Sequence, residues 1–173
     1  MMSSDQQVNE LLEDRLGRSD EIVDVDEPQV KLVIFTLADQ YWALSGQQVH
    51  EILPGKEPLF FVPGMPDSVQ GVINLRGEIT SVIFLNGLLG LPYAQEKGTG
   101  PLLLASTEAM QSAVRIETLV DVADWPESEL KPPPESLPEQ LQPYVTAVFQ
   151  WQNKAVTLLD LHSLFSEYCR GLG

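Results

Sequence analysis

The segment from Gly71 to Ile79 reads Gly-Val-Ile-Asn-Leu-Arg-Gly-Glu-Ile and places β-prone runs on both sides of an Arg-Gly pair. Two strands that lie this close must be joined by a very tight turn, and Gly77 can take the positive φ that such a turn requires. The polar side chains near the bend, Asn74 and Arg76, are an amide and a fixed cation. Such groups bind partners well and do no acid/base chemistry at neutral pH. The segment therefore predicts a β-hairpin with a binding role.

Short strand-like runs separated by Pro, Gly and polar turns continue along the rest of the chain. Many short strands at close spacing predict an all-β barrel or sandwich, without the βαβ alternation of a parallel sheet. The predicted strands are Val30 to Ala38, Tyr41 to Leu44, Val49 to Leu53, Leu59 to Val62, Gly71 to Leu75, Glu78 to Leu85, Leu102 to Ser106, Ser112 to Ile116, Thr118 to Val122, Tyr144 to Trp151 and Ala155 to Leu159.

Helical signals are few and lie mainly at the C-terminal end. Asp160 is a suitable N-cap for a helix that ends near Tyr168, with apolar residues on one face. Leu85 to Leu91 is expected to form one helical turn ahead of Pro92. The proline-rich stretch from Pro126 to Pro143 is predicted to be a loop. The apolar face of the C-terminal helix consists of Leu161, Leu164, Phe165 and Tyr168.

Length and composition allow a proper core without a membrane span. The chain has 173 residues, of which 43% are hydrophobic, and no apolar run of about 18 residues. The N-terminus lacks the basic and apolar regions of a secretory signal, so none is expected. The single cysteine, Cys169, forms no internal disulfide and has no thiol neighbour for a metal site. A reducing cytosol is the expected compartment.

The charge is strongly negative and unevenly distributed. The net charge is −15, and residues 1–28 alone hold nine acidic and two basic residues. We expect this stretch to be a disordered solubilising tail, the alternative being a docking helix with Val8, Leu11, Leu12 and Leu16 on one face. The remaining residues, 29–173, are expected to form the folded domain. Without a basic stripe, binding to nucleic acid or to anionic membranes is not expected.

Residues that could carry catalysis stand apart from one another in the sequence. His50 and His162 lie in unlike settings, and neither belongs to a nucleophile motif. No phosphate-binding glycine loop occurs, so no nucleotide cofactor is expected. The carboxylates of Asp121, Asp124, Glu127 and Glu129 lack the spacing of a Ca²⁺ loop and are interpreted as a solvated loop. The sequence therefore predicts no catalytic residue, no cofactor and no metal.

Several motifs resemble the CheW family, the adaptor proteins of bacterial chemosensory arrays. The run Asn74-Leu75-Arg76-Gly77 is similar to the most recognisable motif of that family. Upstream, Val49-His50-Glu51-Ile52 resembles the family's Val-x-Glu-Ile segment, and Pro63-Gly64-Met65-Pro66 leads to a family glycine at Gly71. Downstream, Val114 to Val122 and the run that starts at Leu130 resemble later parts of the pattern. The resemblance extends over roughly Val30 to Glu167.

The resemblance implies a fold of two small five-stranded barrels, with short helices, and a non-catalytic cytoplasmic adaptor associated with receptor arrays. Its implied partners are a methyl-accepting chemoreceptor and a CheA-type histidine kinase. A groove between the barrels would take an apolar helical hairpin tip, and its counterparts here are Val49, Glu51 and Ile52 together with Asn74 and Arg76. Val49 and Ile52 would form its floor, and Asn74 and Arg76 would fix the register. Val49 and Ile52 are alternatively core residues, and Arg76 alternatively pins the turn to Glu51. Gly71 is expected near the kinase-binding surface, where a glycine permits close backbone approach or a bulge.

One segment departs from the family pattern. After the central turn the family usually has Pro-x-x-Asp-Leu, whereas this chain has Ser81-Val82-Ile83-Phe84-Leu85. Phe84 is expected to add apolar surface where a carboxylate normally caps the next turn. The departure is compatible with a CheW-like adaptor of a type IV pilus or phototaxis pathway. A small all-β enzyme is the remaining alternative, which a large polar pocket with a perturbed acid or base would support.

Overall fold

The protein is described by a computed structural model that covers residues 27–93 and 98–171. Nearly all of the predicted tail, residues 1–28, lies outside these ranges. The regular elements are β1 (Gln29–Leu37), β2 (Gln40–Ser45), β3 (Val49–Leu53), β4 (Val69–Leu75), β5 (Glu78–Ile83), β6 (Leu102–Ser106), β7 (Gln111–Arg115), β8 (Thr118–Pro126), β9 (Val145–Trp151), β10 (Lys154–Leu159) and α1 (Leu161–Gly171), with short 3-10 turns at Glu127–Glu129 and Gln142–Tyr144.

The strands form two five-stranded sheets with the same internal connections. Sheet 1 has the order β8-β1-β2-β10-β9 and sheet 2 the order β3-β6-β7-β5-β4. Each consists of an edge strand and two hairpins, and the second strands of the two hairpins pair in parallel. Sheet 2 consists of five consecutive strands, β3 to β7. Sheet 1 consists of β8 to β10 together with β1 and β2, which precede sheet 2 in the chain. The two sheets are therefore circular permutations of one topology.

The edges of each sheet are joined by one bridge. In sheet 2, Phe60 follows β3 and exchanges two backbone hydrogen bonds with Val72 of β4, at 2.8 and 2.9 Å. In sheet 1, Lys131 follows β8 and makes the same exchange with Val148 of β9, both at 2.9 Å. The predicted all-β fold with two five-stranded units and a C-terminal helix is confirmed. Within the described residues, however, the units are packed sheets rather than closed barrels.

A continuous apolar core lies between the two sheets and under α1. Phe35 and Trp42 of sheet 1 meet Leu103 of sheet 2 and Phe165 of the helix, and all are at most 2% exposed. Burying a side chain such as Phe165 stabilises the fold by roughly 1.5–3 kcal/mol. The Asp160 carboxylate accepts the amide of Ser163 at 3.2 Å, so the predicted N-cap is confirmed. The predicted apolar face of this helix is buried as expected.

Some local predictions were wrong in segments that border loops. Leu59 to Val62 is not a strand, because only Phe60 pairs with a neighbour. Leu85 to Leu91 contains the single helical turn expected, since the Leu89 N–H donates to the Leu85 carbonyl at 3.2 Å, and Gly90 with a φ of +70° ends it. β8 runs on to Pro126, so Asp124 lies in a strand rather than in a loop, while Asp121 lies within the predicted strand Thr118 to Val122.

Candidate functional site

The central hairpin presents Arg76 on a two-residue turn. Arg76 and Gly77 have φ values of +50° and +88°, the left-handed pair that a type I′ turn requires. Asn74 stabilises this bend, because its Oδ1 accepts the backbone N–H of Gly77 at 2.9 Å. The side-chain oxygen of Asn74, which was predicted to contact a partner, is thus already used within the turn. Asn74 is itself exposed, so its NH₂ group lies at the surface. The turn is built to hold Arg76 in one place.

Arg76 forms an ion pair with Glu51, on the strand at the other edge of sheet 2. Its Nη2 donates to Glu51 Oε1, and the two side chains are 68% and 32% exposed. The hydrogen bond from Arg76 holds the pKa of the Glu51 carboxyl below its usual range, and the same bond raises the pKa of the Arg76 guanidinium. Because Arg76 is mostly solvated, most of its guanidinium surface remains accessible to a partner.

The two apolar residues predicted beside this pair have different surroundings. Val49 is half-buried and packs against the core between the sheets, so it is partly a core residue. Ile52 pairs with Leu103 in register, and its own side chain is 36% exposed. The structure therefore brings Glu51 and Arg76 into contact beside Asn74, whereas Ile52, the next residue along β3, lies on the opposite face of that strand.

Gly71 permits a close approach between β4 and the loop that precedes it. A Cβ atom at this position would lie 2.5 Å from the carbonyl oxygen of Phe60 and 3.2 Å from the side chain of Leu59. The β4–β5 register also shifts between Val69 and Gly71, so the position is at a bulge as well. Both interpretations of this glycine hold together. Its direct effect is to let the Phe60 bridge form.

An exposed apolar patch extends the site beyond the predicted residues. Phe60, Phe61 and Ile79 are 56%, 79% and 69% exposed. Phe60 pairs with Val72, and Val72 and Ile79 line one shallow depression on the outer side of the β4–β5 hairpin. Sequence reasoning placed Leu59 to Val62 in a strand and so missed its exposure. The adjacent Phe60-Phe61 pair was the available signal, since alternate burial cannot cover both rings.

Phe84 does not add apolar surface, contrary to prediction. The ring is 6% exposed and packs edge-to-face on Tyr93, with ring centroids 5.4 Å apart. The turn that a carboxylate was expected to cap is instead held by amides, since Asn86 Nδ2 donates to the Pro92 carbonyl at 2.8 Å. An aromatic pair thus takes over part of the core at this position.

The cavity beside Phe84 has a mixed lining. Its volume is about 220 Å³, and apolar residues and glycines line it together with the polar Asn86, Tyr93, Thr99, Arg115 and Glu117. The Glu117 carboxylate accepts the backbone N–H of Ala38 at 2.6 Å and so holds the β1–β2 turn. The guanidinium of Arg115 is hydrogen-bonded to surrounding backbone and amide oxygens. These groups are engaged in structural contacts.

One pair of residues has the composition of a nucleophile and a base. His50 Nε2 lies against the Ser106 hydroxyl on the exposed side of the β3–β6 pair. Among the described residues, no carboxylate is bonded to the other nitrogen of this ring, so the third group that would orient it is missing. The described residues also contain no group of three or more His, Cys, Asp or Glu that could hold a metal ion. None of their helices is long and apolar enough to cross a membrane.

Comparison with known proteins gives one consistent family. The family model for the CheW-like domain matches residues 31–169. A probable chemotaxis protein CheW of Rhizobium etli is 25% identical over 137 residues, which are 79% of this chain and 88% of that protein. The chemotaxis protein CheW of Bacillus subtilis is also 25% identical, with coverages of 79% and 87%. The match includes every predicted site residue.

A solved structure supports the same fold. The crystal structure of a scaffolding protein, a CheW from Thermoanaerobacter tengcongensis, superposes with a TM-score of 0.69 at 23% identity. The superposition covers 79% of this chain and 92% of that one. At this identity the likeness concerns the architecture of the two packed sheets.

Proposed function

We propose that this chain, which belongs to the CheW-like domain family, is a non-catalytic adaptor that couples methyl-accepting chemoreceptors to a CheA-type histidine kinase. The relatives named chemotaxis protein CheW support a place in bacterial chemosensory signalling. We further propose that it works in the cytoplasm, at membrane-bound receptor arrays, without entering the membrane itself. Residues 29–173 act as the adaptor domain.

The observation that carries this proposal is the surface around the Glu51–Arg76 ion pair. A largely solvated guanidinium on a two-residue turn is held against β3, the strand that also carries the partly exposed Ile52. A helix that lays an apolar face against such a surface needs apolar contacts together with a few fixed polar groups that set its register. We assign Val49, Glu51, Ile52, Asn74 and Arg76 to the receptor-binding surface on this ground.

The second partner surface is proposed on the outer side of the β4–β5 hairpin. Gly71 allows the Phe60 segment to lie on β4, and the exposed Phe60 and Ile79 side chains provide apolar area there. We assign this surface to the kinase; it adjoins the receptor-binding surface, because Ile79 is the cross-strand neighbour of Asn74. Gly71 contributes to it through backbone geometry only.

A non-catalytic role agrees with the way in which the polar groups are used. Glu117, Asn86 and Arg115 hold backbone segments, and the His50–Ser106 pair lacks an orienting carboxylate within the described residues. The CheW-like adaptors of type IV pilus or phototaxis pathways differ only in their partners. The replacement of the family's aspartate by the buried Phe84 is the observation that favours such a divergent pathway.

A binding titration with purified partners tests the proposal. The probes are a soluble fragment of a chemoreceptor that contains its helical hairpin tip and the regulatory fragment of the histidine kinase from the same genome. We expect each to bind the chain separately and both to bind together. We expect Arg76→Ala to weaken only the binding of the receptor fragment, and Ile79→Asp to weaken only the binding of the kinase fragment. If neither fragment binds the wild-type chain, the adaptor role is wrong.

A further inference from the structure

Arg115 is a buried cation that sequence reasoning did not single out. It ends β7, the middle strand of sheet 2, and is only 4% exposed. Fully buried arginines are rare unless their donors are satisfied. The available sequence signal was a charged residue within the otherwise apolar run Ala113-Val114-Arg115-Ile116.

The guanidinium reaches from the middle strand towards both edges of the sheet. Nε donates to Gln70 Oε1 of the edge strand β4 at 3.0 Å. Nη1 donates to the carbonyl oxygen of Gly55, which follows the opposite edge strand β3, at 3.3 Å, and to that of Gly100 at 2.6 Å. One side chain thus links the start of β4 to the end of β3. A planar fork with five donors suits this task, whereas an ammonium group does not.

Three glycines make room for this arrangement. A Cβ atom at Gly55 would collide with the carbonyl oxygen of Gly100 and approach Arg115 Nη1 to 3.0 Å. A Cβ atom at Gly98 would collide with the Gln70 amide, and one at Gly100 with the Ile116 carbonyl. The backbone is therefore packed around the guanidinium as closely as glycine allows.

The charge of Arg115 is balanced by dipoles rather than by an ion pair. Its acceptors are two carbonyl oxygens and one amide oxygen, and burial lowers the pKa of the guanidinium from its ordinary value. The nearby Glu57 carboxylate opposes that shift without forming a salt bridge. Removing the guanidinium would leave two backbone carbonyl oxygens and one amide oxygen without this donor. These three hydrogen bonds therefore fix the position of the Arg115 side chain.

The contacts of Arg115 complete a series of three ties between the edges of sheet 2. Along β4, Gln70 is held by Arg115, Val72 by the Phe60 bridge, and Arg76 at its end by Glu51. We call the line along which β3 and its following loop meet β4 the seam of sheet 2. The buried Arg115 contacts fix the distance between β3 and β4 at one end of this seam, and the solvated Glu51–Arg76 ion pair joins the strands at the other end. Gln70 and Arg76 are therefore held on the same strand and its turn, one by the buried Arg115 contact and the other by the ion pair.

We propose that Arg115 is a positioning residue for the partner-binding surface, an inference that rests on the proposed function. It contacts no partner itself. Its role is to fix the separation of β3 and β4 so that Arg76 meets Glu51 in the geometry that a receptor helix recognises.

The test uses the Glu51 carboxyl as a reporter in the free protein. Arg115→Lys keeps the charge and loses the fork, and ¹³C NMR titration follows the Glu51 pKa. We expect this pKa to rise towards its ordinary value in Arg115→Lys, and also in Arg76→Ala. Gln70→Leu, which cuts one tie only, should shift it in the same direction by less. If Arg115→Lys proves unfolded, Gln70→Leu decides the question alone.

A matched control separates positioning from general destabilisation. Val156→Ala removes apolar volume from the core of sheet 1, where the wild-type valine is fully buried, and should leave the Glu51 pKa unchanged. An unchanged Glu51 pKa in both folded seam variants overturns the positioning role.

A binding cycle provides the second readout. Arg76→Ala should cost less receptor affinity in the Arg115→Lys background than in the wild type, because Arg76 is already displaced. Equal losses in the two backgrounds contradict the inference. A wild-type chain that binds no receptor refutes the proposed function instead, while the Glu51 titration still decides the positioning role.

Discussion

Glu51 and Arg76 form an ion pair although they belong to opposite edges of the same five-stranded sheet. The order β3-β6-β7-β5-β4 separates their strands by three others, and only the curling of the sheet brings them together. The pair therefore reports on the closure of sheet 2 as well as on local charge. Since Arg76 is 68% exposed, the same guanidinium is open to a partner.

The first prediction separates recognition from structure at Arg76. Arg76→Ala should lower receptor affinity about tenfold or more, the effect of losing a hydrogen bond to a charged group. Its urea midpoint should change little, because exposed ion pairs contribute little to stability. Arg76→Lys, which keeps the charge but not the two-pronged geometry, should lose much of the same affinity. Unchanged affinity in Arg76→Ala and Glu51→Ala, together with similar losses of stability, would assign the pair a structural role only.

The second prediction concerns pH. The Glu51 pKa is lower in the folded chain than its ordinary value of 4.5, so any stability from the pair is fully present above that value. It is lost as the pH falls through the lowered folded pKa. We expect wild type and Glu51→Gln to show only a small difference in urea unfolding at neutral pH, and this difference to disappear under more acidic conditions. A difference that persists after Glu51 is protonated would show that the substitution acts through something other than charge.

The third prediction tests the role of Gly71. Gly71→Ala places a methyl group 2.5 Å from the Phe60 carbonyl and should destabilise the chain by about 1–3 kcal/mol. Amide exchange at Phe60 and Val72 should accelerate, because their two hydrogen bonds are displaced. Gly171→Ala, whose added Cβ meets nothing within 4 Å, is the matched control. The account of Gly71 is wrong if both variants unfold alike and the two amides remain protected.

The fourth prediction concerns the acidic segment at the N-terminal end. Deleting residues 1–26 should change the melting temperature by no more than about 2 °C, which corresponds to less than about 1 kcal/mol for a chain of this size. Deleting residues 1–28 should cost more, because the Pro28 carbonyl accepts the Glu127 amide at 3.0 Å and Glu27 accepts the Ser128 hydroxyl. A loss of several degrees on the shorter deletion would show that the segment docks on the domain.

The strands were predictable where local signals agree, and poorly bounded where tertiary contacts decide. β3 and β6 have the predicted bounds, because apolar runs end there at clear turn residues. β8 is longer than predicted, since Asp124 is an exposed polar residue of an edge strand and so interrupts the apolar pattern. The Leu59 to Val62 run has strand propensity, but it forms only the Phe60–Val72 bridge, because the bulge at Gly71 interrupts pairing with β4.

Long-range relationships account for the rest of the site. The pairing of Glu51 with Arg76 was a stated alternative, because their charges and motif spacing suggested it. The contacts of Arg115 could not be predicted, since they join four segments through backbone carbonyls that carry no sequence signal. The burial of Phe84 depends likewise on Tyr93, a partner in a separate loop. The residue types indicated which side chains could bind a partner, but the sequence did not indicate which residues surround them in the fold.

A reconstitution experiment decides whether this chain couples a receptor to a kinase. A receptor fragment in arrayed form, the histidine kinase from the same genome and this chain are mixed, and kinase autophosphorylation and co-sedimentation are measured with and without the chain. We predict that the kinase sediments with the receptor, and that receptor control of its activity appears, only when the chain is present and carries an intact Arg76. Equal co-sedimentation and equal receptor control without the chain would contradict the adaptor role.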